Sequence, residues 1–216
     1  MAPKVKFTKS EMTEAAVQVV RQNGIAGLTA KSLATQLGTS TQPIFTCFAT
    51  MEAVKAAVLA AATQIYNRYT AEGLDNRIPF FGFGMQYIRF ARNEPELYRL
   101  LFLSSEQPGD AMGAMAHSQT LLQPTLMKIY RIGAAEADRY FRDMWLVVHG
   151  LATLIVTGGC PYDDDEIGRI LTEVSVSICK SIKEIPGFAE GTFDRDAVFR
   201  ALVDAPHPNV PEERGT

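Results

Sequence analysis

The chain has 216 residues, 47% of them hydrophobic and 21% charged, with a formal net charge of −3; that balance is ordinary for a soluble globular protein and the length suffices for a real core. Cys47, Cys160 and Cys179 form no CxxC pair and no zinc-ligand spacing, which argues against structural zinc and suits a reducing, cytoplasmic setting. No apolar segment opens MAPKVKFTKSEM, so no secretory signal is expected, and MWLVVHGLATLIVTGG, with His149 inside it, falls short of the ~20 residues a membrane span needs.

Thr8 followed by Glu11 forms a capping box ahead of Met12, Ala15, Ala16, Val19 and Val20, and Gly24 is placed to end that first helix. Thr29 caps a second helix with Leu33, Ala34 and Leu37 inward, stopped by Gly38. A third, brief helix starts at Ser40 or Thr41, with Pro43 in its first turn, where a missing N–H costs no intrahelical bond. Thr50 caps a longer fourth helix whose apolar face is Val54, Ala57, Val58, Ala61 and Ile65.

Beyond GLDNRIP the aromatic content rises. Phe80, Phe81, Phe83, Tyr87 and Phe90 lie on a helix weakened by Gly82 and Gly84, and NEPELYRLLF restarts a helix with Pro95 near its first position. A loop around SSEQPGD leads to a helix from Ala111 to Ile132, with a kink expected at Pro124. Two strong helices follow, Glu136–Thr157 and Asp164–Ile185, and the tail holds one short amphipathic candidate, DRDAVFRALVD. No alternating strand pattern and no repeat occurs. The expected fold is all-α: a helix-turn-helix domain at 1–55, a larger helical bundle at 56–185, and a tail at 186–216.

Charge is distributed unevenly. Through Lys55 the cations are Lys4, Lys6, Lys9, Arg21, Lys31 and Lys55 against Glu11, Glu14 and Glu52. A basic front end on an acidic body suits a polyanionic partner. A short helix after a tight turn is the arrangement whose second helix enters the DNA major groove. Base edges are read by small polar or amide side chains at that helix's exposed start, here Ser40, Thr41 and Gln42. Thr29, Lys31, Thr46 and the helix start at Thr50 offer phosphate contacts, while Ile44 and Phe48 are spaced to face inward.

LTAKSLATQLGTSTQPIFTCFATMEAV, preceded by VVRQNGIAGLT, resembles the DNA-binding segment of the TetR family of transcriptional regulators. The resemblance runs from about Thr8 to Val58 and rests on Leu28-Thr29, Leu33-Ala34, Leu37-Gly38, Ser40, Phe45, Phe48 and Glu52-Ala53. NEPELYRLLF and MWLVVHGLATLIVTG are similar to ligand-domain segments of one subgroup. The resemblance implies that the third helix reads DNA and the fourth connects it to a ligand-binding and dimerisation domain. It further implies that Phe45, where the family commonly has tyrosine, meets DNA backbone or a thymine methyl. Met51 stands where many members carry lysine, and Thr46 replaces a frequent histidine. The candidate DNA-binding set is Thr29, Lys31, Ser40, Thr41, Gln42, Pro43, Phe45, Thr46, Thr50 and Met51.

The helix Glu136–Thr157 carries two apolar stripes: Met144, Val147, Val148, Leu151, Leu154 and Ile155, and Phe141, Trp145, His149, Ala152 and Val156. One can face its own domain and the other a second copy, with Ile167, Leu171, Val174, Ile178 and Ile182 as the complementary seam of a homodimer. Tyr87, Phe90, Phe102, Phe141, Trp145 and His149 are the candidate ligand-binding residues, since an apolar site with a few polar handles is the usual small-molecule pocket. No metal site and no cofactor is expected. The absence of Glu-x-x-His pairs, Gly-rich phosphate loops, G-x-S-x-G and HExxH gives no lead to an enzyme. The function expected is a repressor released from a palindromic operator by a small apolar effector; the competing reading is a helical module that docks a small molecule or protein without binding DNA.

Overall fold

The Thr8 hydroxyl accepts a hydrogen bond from the Glu11 N–H and the Glu11 carboxylate accepts one from the Thr8 N–H, closing the capping box that starts α1 (Lys9–Asn23). From this start the computed structural model describes residues 7–104 and 111–205. Lys4, Lys6 and most of the SSEQPGD loop lie outside them. A 3-10 turn, Ile25–Gly27, leads to α2 (Ala30–Gln36), capped by Thr29 and Ser32 in a second reciprocal pair. Gly38 takes φ 63, a left-handed value that side chains with a Cβ resist, and turns the chain into α3 (Gln42–Cys47).

α4 (Met51–Gly73) is capped by Thr50 and buries Val54, Val58, Ala62, Tyr66 and Thr70, one residue per turn. This stripe runs from the foot of α3 into the body, where α4 packs along α5 (Pro79–Asn93). α6 (Pro95–Tyr98) continues into a π turn over Arg99–Leu103. α7 (Ala111–Tyr130) passes through Pro124 and stops two residues before the expected end, because Arg131 adopts φ 55 and the Ile132 N–H closes back on Met127 O. α8 (Ala134–Val156) begins two residues earlier than periodicity indicates, since the Glu136 carboxylate accepts from the Gly133 N–H. α9 (Asp164–Glu184) starts on an Asp163 cap, and α10 (Arg195–Asp204) on an Asp194 cap. No strand occurs among the described residues. The fold is all-α, with a helix-turn-helix at its N-terminal end and a helical bundle behind it.

One core runs through the whole molecule, from Met12, Leu33 and Ile44 to Phe141, Val148 and Ile167. Two contacts tie α1 to the body. The Arg21 guanidinium grips Glu94 with both arms, Nε to Oε2 at 2.7 Å and Nη2 to Oε1 at 2.5 Å. α1 also packs against α4 and α6. A paired charge at this position fixes the angle at which α1 meets the bundle. Within the bundle Gly73 of α4 and Gly82 of α5 meet backbone to backbone, and a Cβ on either would collide with the other's carbonyl.

Candidate nucleic-acid interface and effector core

α3 is six residues long, and what holds it is visible in its burial. Ile44 is fully buried and Phe48 nearly so, while Lys9 Nζ sits 5.1 Å from the centre of the Phe48 ring. The opposite side is open. Ser40, Thr41, Gln42 and Thr46 are exposed, Pro43 is half-buried, and Phe45 is 49% exposed. A large aromatic left in water on a helix anchored by its neighbours is the unusual feature of this face.

The flanking candidates divide by what their side chains already do. Lys31 is exposed on α2. Thr29 and Thr50 are exposed at helix starts, and their hydroxyls accept from Ser32 N at 3.1 Å and Ala53 N at 3.1 Å. Thr46 donates to Gln42 O at 3.1 Å, so its hydroxyl keeps only lone pairs for a partner. Met51 is half-buried against the core. The remaining N–H groups at the start of α4 point out of the helix, where an anion is favoured. Seen together, the ten N-terminal candidates sit on α2, α3, the start of α4 and the residues that lead into these helices, and Ser40, Thr41, Gln42, Phe45 and Thr46 fall within the seven positions 40–46 of one short helix and its lead-in.

In the body, His149 is the hub. Its Nδ1 lies 2.9 Å from Tyr87 Oη and 3.1 Å from Tyr98 Oη. Tyr98 Oη also reaches Thr153 Oγ1 at 3.0 Å and His149 O at 3.3 Å. Trp145 stacks on the imidazole, centroids 4.7 Å apart and planes within 7°. Burial lowers the His149 pKa and raises those of Tyr87 and Tyr98, because each loses hydration of its charged form. A neutral imidazole can either donate or accept at Nδ1 toward these two tyrosine hydroxyls, according to its tautomer. Trp145 Nε1 is buried with no hydrogen-bond partner. An orphaned donor of that kind asks for an explanation, and an acceptor brought by a bound molecule is one.

Phe102 contacts Tyr66, Tyr87, Tyr98 and His149 edge-on or tilted, and Phe90 meets Tyr66 and Tyr98. Phe141 stands one shell away, joined through Phe83. The six expected ligand residues thus form one connected aromatic cluster on α5, the π turn and α8. A cavity of about 210 Å³ lies beside it, walled by Thr70, Leu74, Phe83, Ser118 and Leu122.

Residues 80–174 match the model of the tetracyclin repressor-like C-terminal domain. That segment runs from α5 into α9, and the helix-turn-helix lies in front of it. Over this segment the chain is similar to the tetracyclin repressor-like family. Two solved structures share its fold. A TetR-family member from Streptomyces coelicolor A3 superposes with a TM-score of 0.57 at 20% identity, covering 77% of this chain and 96% of that one. The multidrug-binding protein EbrR, complexed with imidazole, gives a TM-score of 0.51 at 20% identity, covering 77% and 88%. No curated protein matches the chain. Both structural likenesses, at 20% identity, establish a shared fold.

Several residues of these arrangements escape a sequence reading. Thr153 and Tyr66 join the His149 cluster; Thr153 was signalled only by its position one helical turn beyond His149. The Arg21–Glu94 pair spans 73 positions, and no local pattern announces it.

Proposed function

We propose that the chain binds operator DNA as a homodimer through α3, and that a small, mostly apolar molecule taken up among α4, α5 and α8 releases it, so that the protein is a repressor. The observation that carries the reading is the exposed, polar, aromatic-bearing side of α3 on a helix too short to be stable alone. Such a helix is retained for what it touches. Ser40, Thr41 and Gln42 would meet base edges, Phe45 the sugar-phosphate wall or a thymine methyl, and Lys31 with the α4 N-terminus the phosphates.

The link between effector and DNA is α4. Its first turn adjoins α3, and its later turns carry Tyr66 and Thr70 against the aromatic cluster and the neighbouring cavity. An effector acts only through unequal affinity for two conformations, here two tilts of α4 that set different separations of the reading helices. Operator DNA must then weaken effector binding by the same factor. Trp145 is the single tryptophan and reports on the cluster directly. Compounds that change its fluorescence should, when titrated into the protein–operator complex, lower operator affinity; tight binders that leave operator affinity unchanged would remove the effector step.

A further inference from the structure

A second cavity, of about 180 Å³, lies between α5, α8 and α9 at the end of α7. Phe80, Met144 and Leu171 wall it, and the exposed Ile78 and Val176 stand at its rim. Three hydroxyls cross its lining in a row. Tyr130 Oη lies 3.1 Å from Tyr140 Oη, which lies 2.7 Å from Ser175 Oγ. The chain draws one group from each of α7, α8 and α9.

Ser175 behaves unlike the other hydroxyl residues of its helix. Thr172, Ser177 and Ser181 donate to their own helix, to Gly168 O, Glu173 O and Ser177 O at 2.8, 2.8 and 2.9 Å. Ser175 instead faces Tyr140. Two links among three hydroxyls use two protons, whichever way they run, so one proton and several lone pairs remain within the row. Burial pushes the Tyr140 pKa up, which keeps the row neutral. A mostly apolar space with an uncommitted donor beside acceptors suits a small molecule whose one polar group both donates and accepts.

We infer that this cavity is a binding site for a monocyclic phenol, its ring among Phe80, Met144 and Leu171 and its hydroxyl inserted in the Tyr130–Tyr140–Ser175 row. The size agrees: an apolar cavity of about 150 Å³ is known to take benzene, so the space here admits one ring and a small substituent. A ketone could only accept and a hydrocarbon could do neither. The site is separate from the His149 cluster and stands whether or not that cluster takes an effector.

The test is calorimetric titration of the full-length protein with phenol and with toluene, its counterpart lacking the hydroxyl. Wild type should bind phenol saturably, one per chain, and toluene at least tenfold more weakly. Tyr130→Phe, which keeps a half-buried ring, and Ser175→Ala should each bring the two ligands to within about threefold. The inference is overturned by any of four results: no saturable phenol binding, equal affinity for the two ligands in wild type, an unchanged preference in both variants, or loss of phenol binding in Trp145→Phe, which would move the molecule to the other cluster.

Discussion

Phe45 concentrates the difference between a structural and a recognition role. Almost half of its surface is exposed, and the two side chains that fasten α3 are Ile44 and Phe48. Removing its ring should therefore leave the unfolding free energy within about 0.5 kcal/mol of wild type, the range of ordinary surface changes, while operator affinity falls by tenfold or more. Circular dichroism melts beside fluorescence-anisotropy titrations separate the two effects, and a Phe45→Ala protein that binds like wild type would show that α3 is not the reader. His149 supports a second prediction. Burial lowers its pKa in the folded chain, so on acidification the unfolded chain takes up the proton first. Its contribution is present in full above the ordinary histidine range near 6.5 and is lost as the pH falls through the folded value. Wild type should lose stability between pH 7 and pH 5 more steeply than His149→Gln; parallel melting curves for the two would contradict this. Phe45 was picked out through the TetR resemblance, and His149 as a polar ring on an apolar helix stripe. Their settings were not legible: nothing local to His149 says that Tyr87 and Tyr98, 62 and 51 positions away, converge on one ring nitrogen.

Among the elements, the N-terminal helices were the most legible because their signals are local. Thr8–Glu11, Thr29 and Thr50 mark starts, and Gly38 marks the turn, through hydrogen bonds and dihedral preferences spanning three or four residues. The ends of α7 and the start of α8 were less so, since a left-handed Arg131 and a side-chain cap from Glu136 leave the hydrophobic period untouched. The glycines of α5 show how a correct local rule can mislead. By propensity Gly82 weakens its helix, and alanine there should add about 1 kcal/mol. In the fold Gly82 lies directly against Gly73, and a Cβ at either position would meet the other's carbonyl. Gly82→Ala should consequently destabilise, by about 1–3 kcal/mol as for other overpacked cores. The sign of the change in thermal or urea unfolding decides between the two. Because Gly73 closes α4, the same variant should alter how far the effector shifts operator affinity.

At the scale of the whole molecule, α8 and α9 pack on one another and still leave apolar surface uncovered. The stripe of Met144, Val147, Val148, Leu151, Leu154 and Ile155 is divided by the fold: Met144, Val148 and Leu151 are buried within the chain, whereas Leu154 is 45% exposed, and Leu146, outside that stripe, is 55% exposed. Val174 and Ile178 on α9 are half-buried. If these residues form the seam of a homodimer, Leu154→Arg should yield a folded monomer, because the arginine enters no core in the single chain but places an unpaired charge in the joint surface. Leu151→Arg should unfold the chain instead. Sedimentation velocity at micromolar concentration reads the outcome, and a wild-type protein that sediments as a monomer would exclude the seam. A two-fold pair sets two α3 helices toward successive major grooves, about 34 Å apart or somewhat more. That arrangement leads to the most direct measurement, the selection of bound duplexes from a random-sequence pool at low salt. The account predicts a palindromic winner whose affinity drops steeply with added salt as counterion release weakens. Recovery of no preferred duplex, or of sequences without two-fold symmetry, would contradict it.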